Sequence, residues 1–241
     1  MISHTIEPIG IIKTCFPEKF GIPRQPLLVP SAKGMLVLNT PFNDPDFVSG
    51  LENVSHIWLT FIFHQHVNKG WKPKVRPPRL GGNEKMGVFA TRSSFRPNHL
   101  GLSVVKLDAI SNENQQLYLH LSGVDLLDGT PIVDIKPYVP YVDSLPAARN
   151  SFAQEKPIVM PVHFSLQAQD FCIQYAVKTQ VDVKQLIVEV LQQDPRPAYH
   201  ATDAGRETGR VYGISLLDCN IRWQCLPESE GIVVINIECS G

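Results

Sequence analysis

The chain lacks the usual glycine-rich nucleotide loops: neither GxGxxG after a strand, nor GxxxxGK[ST], nor a GxSxG elbow occurs in its 241 residues. A Rossmann or P-loop mechanism is disfavoured on that ground. Cysteine is sparse: Cys15, Cys172, Cys219, Cys225 and Cys239 make an odd count with no CxxC pair. Their scatter fits neither a disulfide framework nor a zinc site, and they read as reduced, structural thiols. Eight histidines include His64-Gln65-His66, but HExxH is absent, so no metal centre is expected. No apolar run approaches the roughly 20 residues that a membrane-spanning helix needs, and the longest, Ile57 to Phe63, is strand-sized. The N-terminal MISHTIEPIGII has no basic stretch followed by an apolar one, so no secretory signal is read and the chain is expected in the cytoplasm.

Charge is abundant but unevenly placed. Residues 69–100 hold eight Lys/Arg against one acid, Glu84, while the rest hold fourteen against twenty-two, so the net charge of −1 is a cancellation. Within this region Gly87 to Gly101, GVFATRSSFRPNHLG, packs two arginines, an Asn, a His and three hydroxyls between strand-like ends. Such polar density makes poor core and good site material.

Short apolar runs at 35–39, 56–63, 87–91, 103–110, 116–122 and 132–136 are separated by Gly, Pro, Asn or Asp. Leu117, Leu119 and Leu121 alternate with Tyr118, His120 and Ser122, the period of a half-buried strand. The pattern predicts a mainly β protein, with a small antiparallel β-barrel closing off the edges that so many short strands create. Five prolines between Pro137 and Pro161 predict an irregular connection. Beyond it Val183, Leu186, Ile187, Val190 and Leu191 follow the spacing of an amphipathic helix, with Asp182 as its N-cap and a stop near Asp194. Strands over 210–226 and 232–238 complete a small α+β C-terminal domain. The expected division is 1–160 and 162–241, with the Pro-rich connection at 137–161.

Several polar clusters are candidate sites. Arg76, Arg79 and the prolines between them offer cations on a stiffened loop suited to phosphate contacts; a solvated charge run is the alternative reading. Arg92 and Arg96 flank Ser93 and Ser94, where a turn can aim guanidinium groups at an anion or merely brace a loop. His64-Gln65 follows an apolar strand, so its polar tips are expected to emerge at a strand end; a satisfied buried histidine is the alternative reading. Asp194 to Tyr199, DPRPAY, sets a carboxylate, a guanidinium and a phenol on a proline-locked loop; a helix stop with a rigid turn is the alternative reading.

Taken in order, PRQP at 23–26, FHQ at 63–65, RPPRLGG at 76–82, GVFATRSSFRPN at 87–98, DGTPIVDIKPY at 128–138 and DPRPAY at 194–199 resemble the TsaA-like or TrmO family of tRNA methyltransferases. The match runs along nearly the whole chain; His99-Leu100 is a local departure. The resemblance implies S-adenosyl-L-methionine as methyl donor, a β-barrel in place of a Rossmann domain, and a homodimer with the cofactor site near the subunit interface. It implies N6-threonylcarbamoyladenosine at position 37, in the tRNA anticodon loop, as the base methylated on N6. It also implies cofactor contacts at Arg24, Gln25, Pro26, His64, Gln65, Arg92, Leu102, Ser122, Gly123, Val124 and Asp125. Asp134, Asp194 and His64 are the candidate proton acceptors. Arg76, Arg79, Arg96, Arg196 and Tyr199 are the candidate RNA contacts, with Arg196 or Arg96 set against the substrate's threonyl carboxylate. The alternative is a non-catalytic RNA-binding or regulatory module that keeps an S-adenosylmethionine sensor pocket. A methyltransferase acting on a small molecule or protein is a third reading, disfavoured by the basic cluster at 69–100.

Overall fold

The computed structural model describes residues 4–77, 84–151, 153, 157, 159–196, 209–227 and 230–239. In chain order its strands begin with β1 (Gly10–Thr14), β2 (Lys33–Leu38) and β3 (His56–Ile62). The ribbon β4 (Lys74–Val75) and β5 (Met86–Gly87) follows, then β6 (Leu100–Glu113), β7 (Gln116–Ser122) and β8 (Thr130–Pro137). Six of these close into a barrel in the order β1-β2-β7-β6-β3-β8, all pairs antiparallel. Closure leaves no edge strand to template aggregation.

Alternation decides which side chains fill the barrel. Ile57, Leu59 and Phe61 of β3 point inward with Ile12, Leu36, Val105, Leu119, Leu121 and Ile132, all buried. Trp58, Thr60 and Ile62 therefore lie on the outer wall. Gly101 pairs with Phe61 in the ladder, and a Cβ at Gly101 would lie 2.2 Å from the Phe61 ring, so the strands can approach here only without a side chain.

The Pro-rich connection contains one helical turn, α1 (Pro140–Asp143), whose Asp143 Oδ2 accepts from Trp58 Nε1 at 3.0 Å. The C-terminal part comprises β9 (Val162–Phe164), α2 (Leu166–Thr179), α3 (Val183–Leu191), β10 (Val211–Leu216), β11 (Cys219–Cys225) and β12 (Ile232–Cys239). Its sheet runs β10-β11-β12-β9, with only β9 parallel to its neighbour. Asp182 caps α3 as its sequence predicts, its side chain accepting from Gln185 N at 2.9 Å.

Three expectations need correction. Residues 87–91 form not a barrel strand but the end of the β5 ribbon and a short 3-10 turn over Val88–Ala90, because Phe89 is 78% exposed and offers no inward face. Helix α2 has no counterpart in the sequence reading, since Leu166, Ile173 and Val177 on its outer side blur the amphipathic period. Cys219 and Cys239 are not reduced: they are register partners across β11 and β12, with Cα atoms 4.0 Å apart, and are joined as a disulfide. Cys15, Cys172 and Cys225 are free thiols.

The two parts share one apolar cluster and are tied by polar contacts that position the site. Ser31 donates from its N–H and hydroxyl to Glu189 Oε2 at 2.8 and 2.7 Å, and Ser215 N–H donates to Glu18 Oε1 at 2.9 Å. Arg24 Nη2 donates to the Asp194 carbonyl at 3.4 Å. Among the described residues no helix is long and apolar enough to cross a membrane.

Candidate cofactor and substrate site

A cavity of about 640 Å³ opens on the outer wall of the barrel where β3 and β6 meet the loops around residues 19–25, 63–66, 91–96 and 125–130. Its apolar walls come from Trp58, Ile62, Leu102 and Leu126, and its polar groups from the loops. The volume lies within the range of pockets that enclose a small organic ligand. Leu102 is 55% exposed on a strand that otherwise packs well, so an apolar surface is held open beside the polar one.

At one end Arg92 donates to Gln25 Oε1, joining two loops that are distant in sequence. Beside them Asp125, partly buried, accepts from Ser103 Oγ at 2.5 Å. Desolvation pushes the Asp125 carboxyl up to about 6, against the lowering effects of the Ser103 bond and the Arg92 charge. Its carboxyl also takes a bond from its own backbone N–H and lines the cavity, which suits it to a ligand's hydroxyl or cationic group. At the other end His64 lines the cavity with its pKa lowered by burial and then by the Lys19 charge, so the ring is neutral at neutral pH and can accept a proton.

The cavity brings together Arg24, Gln25, His64, Gln65, Arg92, Leu102 and Asp125 of the implied cofactor set, and Arg96 of the implied RNA set. Pro26, Ser122, Gly123 and Val124 do not line it. Ser122 Oγ donates to Asp108 and accepts from Lys33 Nζ at 2.6 Å. Gly123 has φ +71° and exchanges both backbone groups with Ala32 and Leu27, while Val124 is fully buried. That left-handed turn at Gly123 precedes Asp125 by two residues, so that Val124 enters the core and Asp125 reaches the cavity.

Of the three candidate proton acceptors only His64 lines the cavity. Asp134 is paired with Lys136 and its own neighbour's N–H, although its backbone partner Thr60 does line the cavity. Asp194 is committed to Arg196, whose Nε and Nη2 donate to it at 2.7 and 2.8 Å. Arg196 is 5% exposed, so its guanidinium is not the open RNA contact that the sequence reading expects. Arg96 Nη1 donates to the Thr91 carbonyl at 2.9 Å and braces its own loop, while its remaining nitrogens make no hydrogen bond among the described residues. Arg76 is exposed and does not line the cavity; Arg79 and Tyr199 lie outside the described residues. Lys19, His66, Thr91 and Thr130 line it without having been singled out. His66 belongs to the run His64-Gln65-His66, and Thr91 and Thr130 lie within the motifs at 87–98 and 128–138, whereas Lys19 lies in none.

Asp125 supports a direct prediction. The native state holds a proton at Asp125 up to about pH 6 that the unfolded chain, with an ordinary carboxyl near about 3.9, has already released. Ionising it therefore costs stability as pH rises between those values, by roughly 3 kcal/mol. Asp125→Asn keeps an acceptor for Ser103 and is expected to raise the melting temperature at pH 7–8 but not near pH 4. Calorimetry at the two pH values checks this, and equal shifts at both would contradict it.

A closed barrel with an aromatic- and leucine-walled cavity on its outer face, polar at both ends, defines a barrel-based ligand-binding enzyme rather than a Rossmann one. Family comparison makes the class specific: residues 11–144 match the tRNA-methyltransferase O N-terminal domain and residues 157–240 the TrmO C-terminal domain. The chain belongs to the tRNA-methyltransferase O family. It is 49% identical to the tRNA (adenine(37)-N6)-methyltransferase of Escherichia coli, covering 93% of this chain and 94% of that one. It is 47% identical over 98% of both chains to a Pseudomonas aeruginosa protein named as a putative S-adenosylmethionine-dependent methyltransferase. A crystal structure of TrmO from P. aeruginosa superposes with a TM-score of 0.81 at 42% identity, over 100% of this chain and 99% of that one.

Proposed function

We propose that the chain methylates N6 of adenosine 37 in tRNA with S-adenosylmethionine as donor, and that its substrate base is threonylcarbamoyladenosine. One observation carries this reading: a single cavity joins an Arg92–Gln25–Asp125 end, apolar walls and a neutral His64. The residues fit the donor. Asp125 suits its cationic or hydroxyl groups, Arg92 and Gln25 its polar ends, and Leu102 and Leu126 its adenine. When bound, S-adenosylmethionine supplies an electrophilic methyl group on a sulfonium.

The chain's own residues then have three tasks. The β3–β6 wall and the bracing of loop 91–96 by Arg96 hold the reacting atoms in line, a contribution worth roughly 7–11 kcal/mol when orientation is complete. His64 receives the N6 proton; in a threonylcarbamoyl base that nitrogen is a ureido nitrogen, more acidic than a plain adenine amine. The unengaged nitrogens of Arg96 face the threonyl carboxylate, a role that the burial of Arg196 leaves to it. An anticodon-loop base is single-stranded, so splaying it into the cavity costs little. The protein is further proposed to act in the cytoplasm as a homodimer, whose second subunit would cover exposed apolar surface such as Phe89. Nucleoside mass spectrometry tests the substrate: tRNA carrying threonylcarbamoyladenosine should gain one methyl group at position 37, and tRNA lacking the modification should gain none. Equal methylation of both would overturn the substrate assignment.

A further inference from the structure

Charge is unevenly distributed over the cavity lining. Asp125 is the only carboxylate among its described lining residues, and it is engaged by Ser103 beside Arg92. Around Lys19 and His66 three segments bring cations and imidazoles together, and among the described residues no carboxylate acts on either group. Lys19 comes from the loop after β1, His64, His66 and Lys69 from the 3-10 turn after β3, and His99 from the turn before β6. Lys19 Nζ lies 3.3 Å from His66 Nδ1 and 3.4 Å from Nε2. The nearest acid in sequence, Glu18, is turned away to Ser215.

This arrangement is unfavourable without an anion. Burial and the Lys69 charge lower the Lys19 pKa. Burial, then Lys19, Lys69, His99 and His64, lower that of His66. The Phe95 ring, edge-on to His66 at 4.8 Å with Lys72 over its face at 4.4 Å, adds no compensating charge. An oxyanion seated between Lys19 and His66 would reverse each of these repulsions, and the ring, once protonated, would become a second donor.

We propose that Lys19, His66 and Lys69 form a phosphodiester-binding site at the cavity mouth, holding the RNA backbone next to the base that enters the cavity. The inference rests on the reading that this cavity takes an RNA base. Ammonium and imidazole groups match a phosphate as point donors, whereas a planar carboxylate is better met by a guanidinium fork, and the cavity's guanidinium groups belong to Arg24, Arg92 and Arg96. Lys69 is exposed at the end of the 3-10 turn that carries His66, and Trp71, 62% exposed two residues on, offers a face for a flanking base.

The test uses full-length protein, unmodified and threonylcarbamoylated tRNA, and S-adenosylmethionine, with variants Lys19→Gln, Lys69→Gln, His66→Gln and Lys19→Arg. Each lysine-to-glutamine change should weaken binding of both tRNAs by about threefold to tenfold at low salt and reduce the salt slope by about one, while Lys19→Arg preserves the slope. S-adenosylmethionine affinity should stay within about twofold, as expected of a phosphate-only contact. Wild-type tRNA binding should tighten from pH 8 to pH 6, and His66→Gln should abolish that tightening. Unchanged tRNA affinity and slope in both lysine variants would overturn the site. So would loss of S-adenosylmethionine binding alone, which makes it the donor's carboxylate site, or loss confined to modified tRNA, which makes it the reader of the threonyl carboxylate. Wild-type protein that binds tRNA with these slopes but transfers no methyl group would remove the proposed activity and leave the phosphodiester site standing.

Discussion

Arg92→Ala is expected to raise the dissociation constant for S-adenosylmethionine by about 10- to 100-fold, the equivalent of losing one or two charge-assisted hydrogen bonds worth about 1.5–3 kcal/mol. Arg92 is exposed at the cavity wall, held by Gln25, and lowers the Asp125 pKa, so its removal weakens the site three ways. It deletes a donor, frees Gln25, and makes Asp125 harder to ionise. The pH dependence of binding should shift with it: S-adenosylmethionine affinity of the wild type should fall as pH drops below about 6, and the variant's should begin to fall at higher pH. Arg92→Lys should rescue little, because an ammonium cannot reproduce a planar fork. Folding should be nearly unaffected. Isothermal titration checks the assignment; unchanged affinity combined with poor tRNA methylation would move Arg92 from the cofactor to the RNA.

Arg196→Ala should instead act on the fold. Its guanidinium is 5% exposed and clamps both Asp194 oxygens, and that carboxylate would be left without its partner. Breaking a fully buried pair costs about 3–5 kcal/mol. Asp194 is 22% exposed, so roughly 2–3 kcal/mol is expected here, or a fall of about 5–10 °C in Tm for a chain of this size. Because Arg24 bonds the Asp194 carbonyl and also lines the cavity, the damage should reach the site and lower affinity for both ligands. A variant that melts like the wild type yet loses only tRNA methylation would restore Arg196 as an RNA contact.

Much of the barrel was legible because alternating apolar strands announce their two faces: Leu117, Leu119 and Leu121 read as inward and are buried. Helix α3 was legible for the same reason at the helical period, with its cap. Helix α2 was not, because three large apolar side chains sit on its exposed side. The disulfide was hidden because twenty residues separate its cysteines and only strand register sets them opposite one another. At the site, the family motifs pointed to loops that do converge: Gln25, His64, Arg92 and Asp125 meet in one cavity. Sequence could not say which member of a motif faces inward. In Ser122 to Asp125 only the last does, and in the loop at 194–196 the arginine turns back on its own aspartate. Lys19 stood out in no pattern, because its partner His66 is 47 residues away and the pairing is made only in three dimensions.

A crystal structure with S-adenosylhomocysteine tests the central claim most directly. The ligand should lie against Leu102 on the outer β3–β6 wall, within hydrogen-bonding distance of Asp125 and Arg92, with its sulfur opening toward His64. A ligand inside the barrel, or at the C-terminal sheet, would contradict the account.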